Sequence, residues 1–356
     1  MGSPVIKNTL SGLKNTVLGV SNLIRRSTGE TLKPRWVVFV VTERCNSRCT
    51  HCSIWKTGEV KQPLTAREIE DTFKDPLFSE TSYIQVSGGE PTTRGDLDEV
   101  ILAIHRAVPK ATIQISTNAL LPDRALKVVK KALQAGINLY IGISLDGLNE
   151  EHDKIRGIKG NFKKADYLLR ELVKMKEAYS GKLTISTGIV ISDLTLKSVE
   201  PVRRYAEELG IELTEAWYNV SSFYGNMGEH KFSSNLTRSI RSQPPSPIKD
   251  LWLKELKGES IKFPCFAMNT FCVLKANGDI VPCLNYYNES AGNVREQTPT
   301  EVWHCMQMKK IRNTVKDCRG CLNSWGAGWS FESGYYQKLL FYIKHPLTTL
   351  RLIQED

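Results

Sequence analysis

The alternation of strand-like and helix-like segments between residues 36 and about 220 constrains the fold of this chain more than any other feature. Runs of β-branched and aromatic residues predict strands at 36–43, 82–87, 112–117, 139–145, 183–191 and 212–220. Amphipathic segments predict helices at 65–74, 96–107, 122–135, 161–177 and 195–209. This order implies a parallel sheet with right-handed crossovers. Six such units, rather than eight, predict an α/β sheet that curves without closing into a full barrel.

Three cysteines lie within eight residues, directly after the first predicted strand. Cys45, Cys49 and Cys52 have the spacing CxxxCxxC on a predicted loop. Four thiolates would saturate a zinc ion or a cubane, whereas three leave one iron of a [4Fe–4S] cluster open to another ligand. Zinc sites also use short cysteine spacings, so a structural zinc site is the alternative.

The second and later strands end in residues suited to ligand binding. Ser87 is followed by Gly88-Gly89-Glu90-Pro91, in which two glycines allow the backbone to lie against a ligand and a carboxylate can bind an ammonium group. A plain turn is the alternative for this segment. Polar residues also follow the third and fourth strands, at Thr117, Asn118, Ser144, Asp146 and Arg156.

In their spacing and order, these motifs resemble the radical S-adenosylmethionine (radical SAM) superfamily, whose fold is a partial (β/α)6 barrel. The resemblance implies that Cys45, Cys49 and Cys52 hold a [4Fe–4S] cluster and that SAM binds its open iron. Reduction would then cleave SAM and release a 5′-deoxyadenosyl radical. Gly88, Gly89, Glu90 and Pro91 match the GGEP motif, which the family places at the SAM amino group.

The resemblance also assigns roles to the later polar residues. Thr117 and Asn118 are expected near the ribose and methionyl groups, and Ser144 and Arg156 at the SAM carboxylate. An arginine suits that task because its fork donates two parallel hydrogen bonds, although a structural role for Arg156 is an equal alternative. Asp146 either orients substrate or caps the next helix. His51 is expected near the adenine, with an exposed loop histidine as the alternative.

A second cysteine group lies near the C-terminal end of the sequence. Cys265, Cys283, Cys318 and Cys321 resemble the ligands of the SPASM and twitch extensions, which hold an auxiliary [4Fe–4S] cluster. No cysteine follows Cys321, so the resemblance implies one auxiliary cluster, and a four-cysteine zinc site is the alternative. Cys272 competes with Cys265 for the first ligand position. Cys305 is predicted inside a helix as a small buried hydrophobe.

The sequence divides into five predicted regions. They are a basic amphipathic N-terminal helix at 1–35, a radical SAM partial barrel at 36–235, a linker at 236–262, a small SPASM/twitch domain at 263–334 and an amphipathic tail at 335–356. A hydrophobic fraction of 41% argues against disorder, and no apolar run is long enough to span a bilayer. The net charge of +10 is concentrated toward the N-terminus. We therefore expect a cytoplasmic protein. Peripheral membrane contact through residues 5–26 is the alternative.

The expected activity is reductive SAM cleavage followed by hydrogen abstraction from a substrate. A small-molecule, sugar or lipid-linked substrate is favoured, and the auxiliary cluster points to a net oxidation or coupling. The expected partner is an electron donor such as a flavodoxin or ferredoxin, and no specific nucleic acid is expected. The alternatives are a maturase that modifies a ribosomally made peptide and a non-enzymatic electron-transfer or RNA-binding iron–sulfur protein.

Overall fold

The structure is a computed structural model of the 356-residue chain. It describes residues 21–22, 24–25, 28, 30–58, 61–179, 181–226, 234–242, 249, 253–254, 257, 259, 265–316 and 318. The first 20 residues of the predicted N-terminal helix, most of the predicted linker, the C-terminal tail and Cys321 lie outside the described residues.

A single mixed sheet contains all of the strands in the described part of the chain. Their bounds are β1 Trp36–Thr42, β2 Tyr83–Gly88, β3 Thr112–Thr117, β4 Leu139–Ser144, β5 Leu183–Ile191, β6 Glu212–Trp217, β7 Phe271–Leu274, β8 Asp279–Val281 and β9 Gly292–Asn293. The order across the sheet is β6-β5-β4-β3-β2-β1-β7-β8-β9, so β6 and β9 are its edges. Strands β1 to β6 are parallel, which confirms the predicted open α/β barrel.

The last three strands extend the predicted six-stranded sheet. Strand β7 pairs in parallel with β1, placing Cys272 opposite Val37. Strands β7, β8 and β9 then pair antiparallel. The hairpin between Cys265 and Cys283 therefore continues the barrel sheet beside its first strand.

Helices follow most of the parallel strands. Their bounds are α1 Ala66–Lys74, α2 Leu97–Ala107, α3 Pro122–Gln134, α4 Asn149–Arg156, α5 Asn161–Ala178, α6 Val199–Glu208, α7 Ser234–Ser242, α8 Pro299–His304 and α9 Met306–Lys316. Helix α1 begins at a capping box, in which Thr65 and Glu68 satisfy each other's backbone N–H groups. Helix α4 was not predicted as a helix, and it carries the His152 to Arg156 motif.

The two faces of the central strands differ in polarity. One face of β2, β3 and β4 is apolar and fully buried, through Ile84, Val86, Ile113, Ile115, Ile141 and Ile143. Side chains alternate along a strand, so the residues between them share the other face. Tyr83 donates to Gln114 Oε1 at 2.7 Å and Gln85 Nε2 donates to Ser116 Oγ at 3.3 Å across that face. It is therefore lined by polar groups.

The described residues fall into two compact units. One contains those within Lys33–Lys231 and Phe271–Ile311, which include the whole sheet. The other contains the remaining described residues, among them Cys265 and Cys318. The domain boundaries expected from sequence remain predictions. Within the described residues, no helix has the length and apolar character needed to cross a membrane.

Candidate active site

The three cysteines of the CxxxCxxC motif lie on the loop that leaves the C-terminal end of β1. Backbone hydrogen bonds fix this loop against the end of α4, because Arg48 N donates to Arg156 O at 3.1 Å and Thr50 N donates to Ile155 O at 2.9 Å. Cys49 is buried, whereas Cys45 and Cys52 are half-buried. The loop thus holds the thiols at the edge of the sheet where the parallel strands end.

Several donors surround the thiols of Cys45 and Cys49. Ser47 N donates to Cys45 Sγ at 3.4 Å, and the Ser47 hydroxyl lies 3.1 Å from Cys49 Sγ. Arg156 Nη1 lies 3.7 Å from Cys49 Sγ, and Asn118 Nδ2 lies 3.9 Å from Cys45 Sγ. Hydrogen bonds to cluster sulfurs tune the potential of an iron–sulfur site. These groups are therefore suitably placed to do so here.

Burial makes the thiols of Cys45 and Cys52 poor acids when no cation is bound. It raises the pKa of Cys45 to about 11 and that of Cys52 to about 12. A bound iron ion deprotonates a coordinating thiol outright, because the ion supplies the missing positive charge. Among the described residues, no three side chains of His, Cys, Asp or Glu converge closely enough to share one metal ion.

Gly88 and Gly89 allow the second loop to pack directly against the start of the cysteine loop. Gly89 N donates to Thr42 O, and Glu90 N donates to Arg44 O, each at 2.8 Å. A Cβ added to Gly88 would lie 2.2 Å from Thr42 O, and one added to Gly89 would lie 2.3 Å from Arg44 O. Only glycine permits this approach. Pro91 then begins a single 3-10 turn, Pro91–Thr93.

The Glu90 carboxylate is buried and accepts four hydrogen bonds from the protein. Its Oε1 accepts from Thr92 N at 3.1 Å, from the Thr92 hydroxyl at 2.6 Å and from the Thr117 hydroxyl at 2.7 Å. Its Oε2 accepts from Asn118 N at 2.7 Å. The carboxylate therefore joins the ends of β2 and β3.

Thr117 and Asn118 reach the site differently. The buried Thr117 hydroxyl donates a hydrogen bond to Glu90 Oε1. Asn118 Nδ2 instead donates to Asn46 Oδ1 at 2.9 Å, inside the cysteine loop. Asn118 thus links the end of β3 to the cluster motif, while Thr117 supports the Glu90 carboxylate.

Asp146 and Arg156 form a buried ion pair beside the cysteine loop. Arg156 Nε lies 2.7 Å from Asp146 Oδ2, and the exposed fractions of the two side chains are 9% and 0%. Asp146 Oδ1 also accepts from Val190 N at 2.9 Å. Burial opposes ionisation of Asp146, but Arg156, His51 and the Val190 N–H together outweigh it, so the pKa of Asp146 lies below its usual value. Both side chains are therefore buried and bonded to other protein groups rather than exposed at the surface.

Two histidines flank this ion pair. His51 Nε2 lies 3.7 Å from Asp146 Oδ2, and its buried Nδ1 has no hydrogen-bond partner among the described residues. His152 Nδ1 accepts from Asp146 N at 3.1 Å. Burial, reinforced by Arg156, lowers the pKa of His152 to about 4, and burial also lowers the pKa of His51. Both rings are therefore neutral at physiological pH.

Ser144 is the last residue of β4 and lies opposite Gly188 of β5. It is partly exposed on the polar face of the sheet, as a ligand contact requires. The structure thus gathers Cys45, Cys49, Cys52, His51, Gly88, Gly89, Glu90, Pro91, Thr117, Asn118, Ser144, Asp146 and Arg156 at the C-terminal ends of β1 to β4.

The cysteines of the second group occupy different settings. Cys283 follows β8, and Cys265, Cys283 and Cys318 are all half-buried. Cys272 lies in β7 and is completely buried, which raises its pKa to about 12. Cys305 does not lie inside a helix as predicted. It separates α8 from α9, where its sulfur accepts from Met308 N at 3.3 Å.

Two residues of the site were not identified from sequence. Ser47 lies between the first two cysteines, and its side chain contacts Cys49 and Arg156 O. Asn226 donates to His51 O at 3.5 Å and to Asn219 O at 3.0 Å, which ties the segment after β6 to the cysteine loop. The position of Ser47 within the motif was an available signal, whereas nothing local indicates the role of Asn226.

The residues present fit an iron–sulfur cluster with SAM beside it. The thiols lie among N–H and O–H donors, the glycine loop allows a close approach, and the buried His51 Nδ1 has no partner in the described part of the chain. The radical SAM superfamily matches residues 39–206, and the SPASM iron–sulfur cluster-binding domain matches residues 265–322. The chain belongs to the radical SAM superfamily and carries a C-terminal SPASM domain. These families bind [4Fe–4S] clusters and SAM.

The chain is also similar to individual proteins. It is 25% identical over 312 residues to the AdoMet-dependent heme synthase of Methanosarcina barkeri, covering 80% of this chain and 86% of that protein. It is 40% identical over 142 residues to the Fe-coproporphyrin III synthase of the same organism, of which it covers only 34%. Streptococcus suis SuiB bound to the precursor peptide SuiA has a similar fold, with a TM-score of 0.62, 17% identity, and coverage of 84% of this chain and 70% of SuiB.

Proposed function

We propose that this protein cleaves SAM reductively at a [4Fe–4S] cluster held by Cys45, Cys49 and Cys52, and then removes hydrogen from a small-molecule substrate. The observation that carries this proposal is the position of the three thiols, which lie on one loop beside the Gly88-Gly89 turn and the Asp146–Arg156 pair. When bound, the cluster and SAM supply a 5′-deoxyadenosyl radical.

The protein's own residues prepare this site in three ways. Ser47, Asn118 and Arg156 place donors around the cluster sulfurs. Glu90 fixes the backbone that would receive the SAM amino group, and Ser144 offers a hydroxyl at the end of β4. Burial of Cys49 and the pairing of Asp146 with Arg156 limit access of water, which protects a radical from side reactions.

The second cysteine group is proposed to hold one auxiliary [4Fe–4S] cluster through Cys265, Cys283, Cys318 and Cys321. Four protein ligands close such a cluster, so it would accept or pass electrons rather than bind SAM. This supports a net oxidation or coupling after hydrogen abstraction.

Two observations support a polar small molecule as the substrate class. The polar face of the sheet carries Gln85, Gln114 and Tyr140, and the buried Gln85 Oε1 has no hydrogen-bond partner among the residues that the structure describes. An unpaired amide oxygen favours a ligand that donates a hydrogen bond. The heme synthase relative, which the chain matches over most of both lengths, acts on a small molecule according to its name.

Peptide modification is the second candidate. It is supported by the shared fold with SuiB, which binds a precursor peptide. That likeness is at 17% identity and concerns the fold, so the small-molecule class has the stronger support.

Anaerobic reconstitution with an iron count and a 5′-deoxyadenosine assay tests the proposal. The wild type should bind about eight irons per chain, as two cubanes require, and should release 5′-deoxyadenosine from SAM after reduction. Cys49→Ala should lose about four irons and all product. Cys283→Ala should also lose about four irons but should still cleave SAM. Absence of 5′-deoxyadenosine from fully loaded wild type would overturn the proposal.

A further inference from the structure

An indole ring lies on the surface of the cysteine loop between two exposed cations. The guanidinium of Arg48 lies 4.9 Å from the centre of the Trp55 ring, and Lys56 Nζ lies 5.1 Å from it. Cations within about 6 Å of an indole centroid are attracted to its face. Arg48 and Lys56 are exposed, whereas Trp55 is half-buried. We call Arg48, Trp55 and Lys56 the cation–indole surface.

This surface is directly bonded to the predicted cluster ligands. Trp55 Nε1 donates to Cys52 O at 2.9 Å. Arg48 Nη1 donates to Ser47 O at 2.7 Å and to Cys45 O at 3.4 Å. One hydrogen bond therefore separates a ring at the protein surface from the backbone of a cysteine that would bind iron.

The charges on the cation–indole surface are available for a partner. Within the described part of the chain, neither Arg48 nor Lys56 lies within ion-pair distance of a carboxylate. Arg94 and Arg156, which also lie near the C-terminal ends of the strands, are instead paired with Asp96 and Asp146. Unpaired cations around an aromatic ring are typical of a protein interface, where arginine and tryptophan are enriched.

We propose that the cation–indole surface is the docking site of an acidic one-electron carrier protein, and that the electron enters through Trp55 and Cys52. The inference rests on the proposed function, because it assumes a cluster at Cys45, Cys49 and Cys52. The carrier is oxidised by one electron and the cluster is reduced by one. No bond forms or breaks in this step, and complementary charge would raise the rate of encounter.

Charge reversal with a matched control tests the docking site. In Arg48→Glu/Lys56→Glu, two exposed cations become anions. In Lys110→Glu/Lys182→Glu, the same change falls on exposed residues that precede β3 and β5, at the opposite end of the strands. Affinity for purified flavodoxin is measured anaerobically on cluster-loaded protein, at low and high salt. We expect the first variant to bind about tenfold more weakly, or worse, with a reduced salt dependence, and the control to bind like the wild type.

The route of the electron is measured by bleaching of the cluster absorbance. Reduction of Arg48→Glu/Lys56→Glu by flavodoxin hydroquinone should be slowed about tenfold. Reduction by dithionite, a small anion that needs no docking surface, should be nearly unchanged when it is measured at high salt, which screens the reversed charges. Trp55→Phe keeps a ring but removes the N–H donated to Cys52. It should retain flavodoxin affinity and slow reduction by bound flavodoxin.

Two outcomes would overturn the inference. Equal flavodoxin binding by the wild type and Arg48→Glu/Lys56→Glu would show that docking lies elsewhere. Binding to phosphatidylserine vesicles that is lost in this variant, with flavodoxin binding intact, would assign the surface to a membrane instead.

If charge reversal prevents cluster loading, Arg48→Gln/Lys56→Gln replaces that variant and must also weaken flavodoxin binding. A wild type that binds flavodoxin but yields no 5′-deoxyadenosine with dithionite would reject the proposed function and leave the docking site standing.

Discussion

Two buried carboxylates, Glu90 after β2 and Asp146 after β4, are bonded to the protein in different ways. Their exposed fractions are 1% and 0%. Glu90 accepts four hydrogen bonds from neutral donors, whereas Asp146 is paired with the Arg156 guanidinium at 2.7 Å. Burial therefore raises the pKa of Glu90 despite its hydrogen bonds, while Arg156, His51 and the Val190 N–H together hold that of Asp146 below its usual value.

The difference separates two kinds of support for the cluster loop. Glu90 holds the backbone at the ends of β2 and β3, so it would influence a ligand through the segment that it positions. Asp146 neutralises Arg156, whose other arm reaches the Cys49 sulfur. Glu90 is thus held by neutral donors, whereas the Asp146–Arg156 pair places charged groups beside Cys49.

Breaking the ion pair should have the largest effect. Arg156→Met leaves Asp146 buried without its cation, and we expect a loss of about 3–5 kcal/mol in the free energy of unfolding. Urea unfolding of anaerobic, cluster-loaded protein measures this loss. Arg156→Lys keeps the charge and should lose clearly less. If Arg156→Met were as stable as the wild type, the pair would not have the role assigned to it.

A neutral substitution of the other carboxylate should cost less. Glu90→Gln turns one accepting oxygen into an N–H donor that faces another donor, such as Asn118 N, so we expect a loss of about 1–3 kcal/mol. The same unfolding experiment applies. Glu80→Gln, at an exposed glutamate, is the matched control and should change stability by less than about 0.5 kcal/mol. A loss equal to that of Arg156→Met would remove the distinction between the two sites.

Removal of one neutral donor should have a smaller effect. Thr117→Val deletes one of the hydroxyls that bind Glu90 Oε1, and two donors to that oxygen remain. We expect a loss of about 1 kcal/mol, with normal iron content. Thr112→Val lies in the same strand, away from Glu90, and should be close to neutral. A loss of iron by Thr117→Val would mean that Glu90 tolerates no change in its donors.

The pH dependence should distinguish the carboxylates by its sign. The pKa of Glu90 in the folded state is raised above 4.5, so its contribution to stability is greatest below pH 4.5 and is lost as pH rises through the folded pKa. The pKa of Asp146 is lowered below 3.8, so its contribution is present above that pH and is lost on further acidification. Between about pH 7 and pH 5, the wild type should therefore gain stability relative to Glu90→Gln but change little relative to Asp146→Asn. Thermal unfolding across this range measures both differences, and a flat difference for Glu90→Gln would contradict the assignment.

Sequence patterns predicted the local elements of the barrel well. Strand β5 has the predicted bounds, and β1 to β4 end within one residue of theirs. Because the C-terminal ends of parallel strands meet at one edge, the motifs after them were expected together, and the structure confirms this. Helix α4 was missed because its charged sequence, Asn149 to Arg156, has little apolar periodicity.

The remaining features depend on contacts between distant segments. The parallel pairing of β7 with β1 joins residues far apart in sequence, and no local pattern specifies it. The inward hydrogen bonds of Glu90 come from two other segments, which a four-residue motif does not reveal. Cys305 interrupts a run that reads as one helix, because its backbone is extended (φ −67°, ψ 165°) between α8 and α9.

The central claim is that the loop from Cys45 to Cys52 holds a cluster with an iron open to SAM. Electron paramagnetic resonance of the reduced protein, recorded with and without SAM, tests it most directly. We predict that SAM changes the spectrum of the wild type and of Cys283→Ala, and that Cys49→Ala shows no such change. A wild-type spectrum that is identical with and without SAM would contradict the claim.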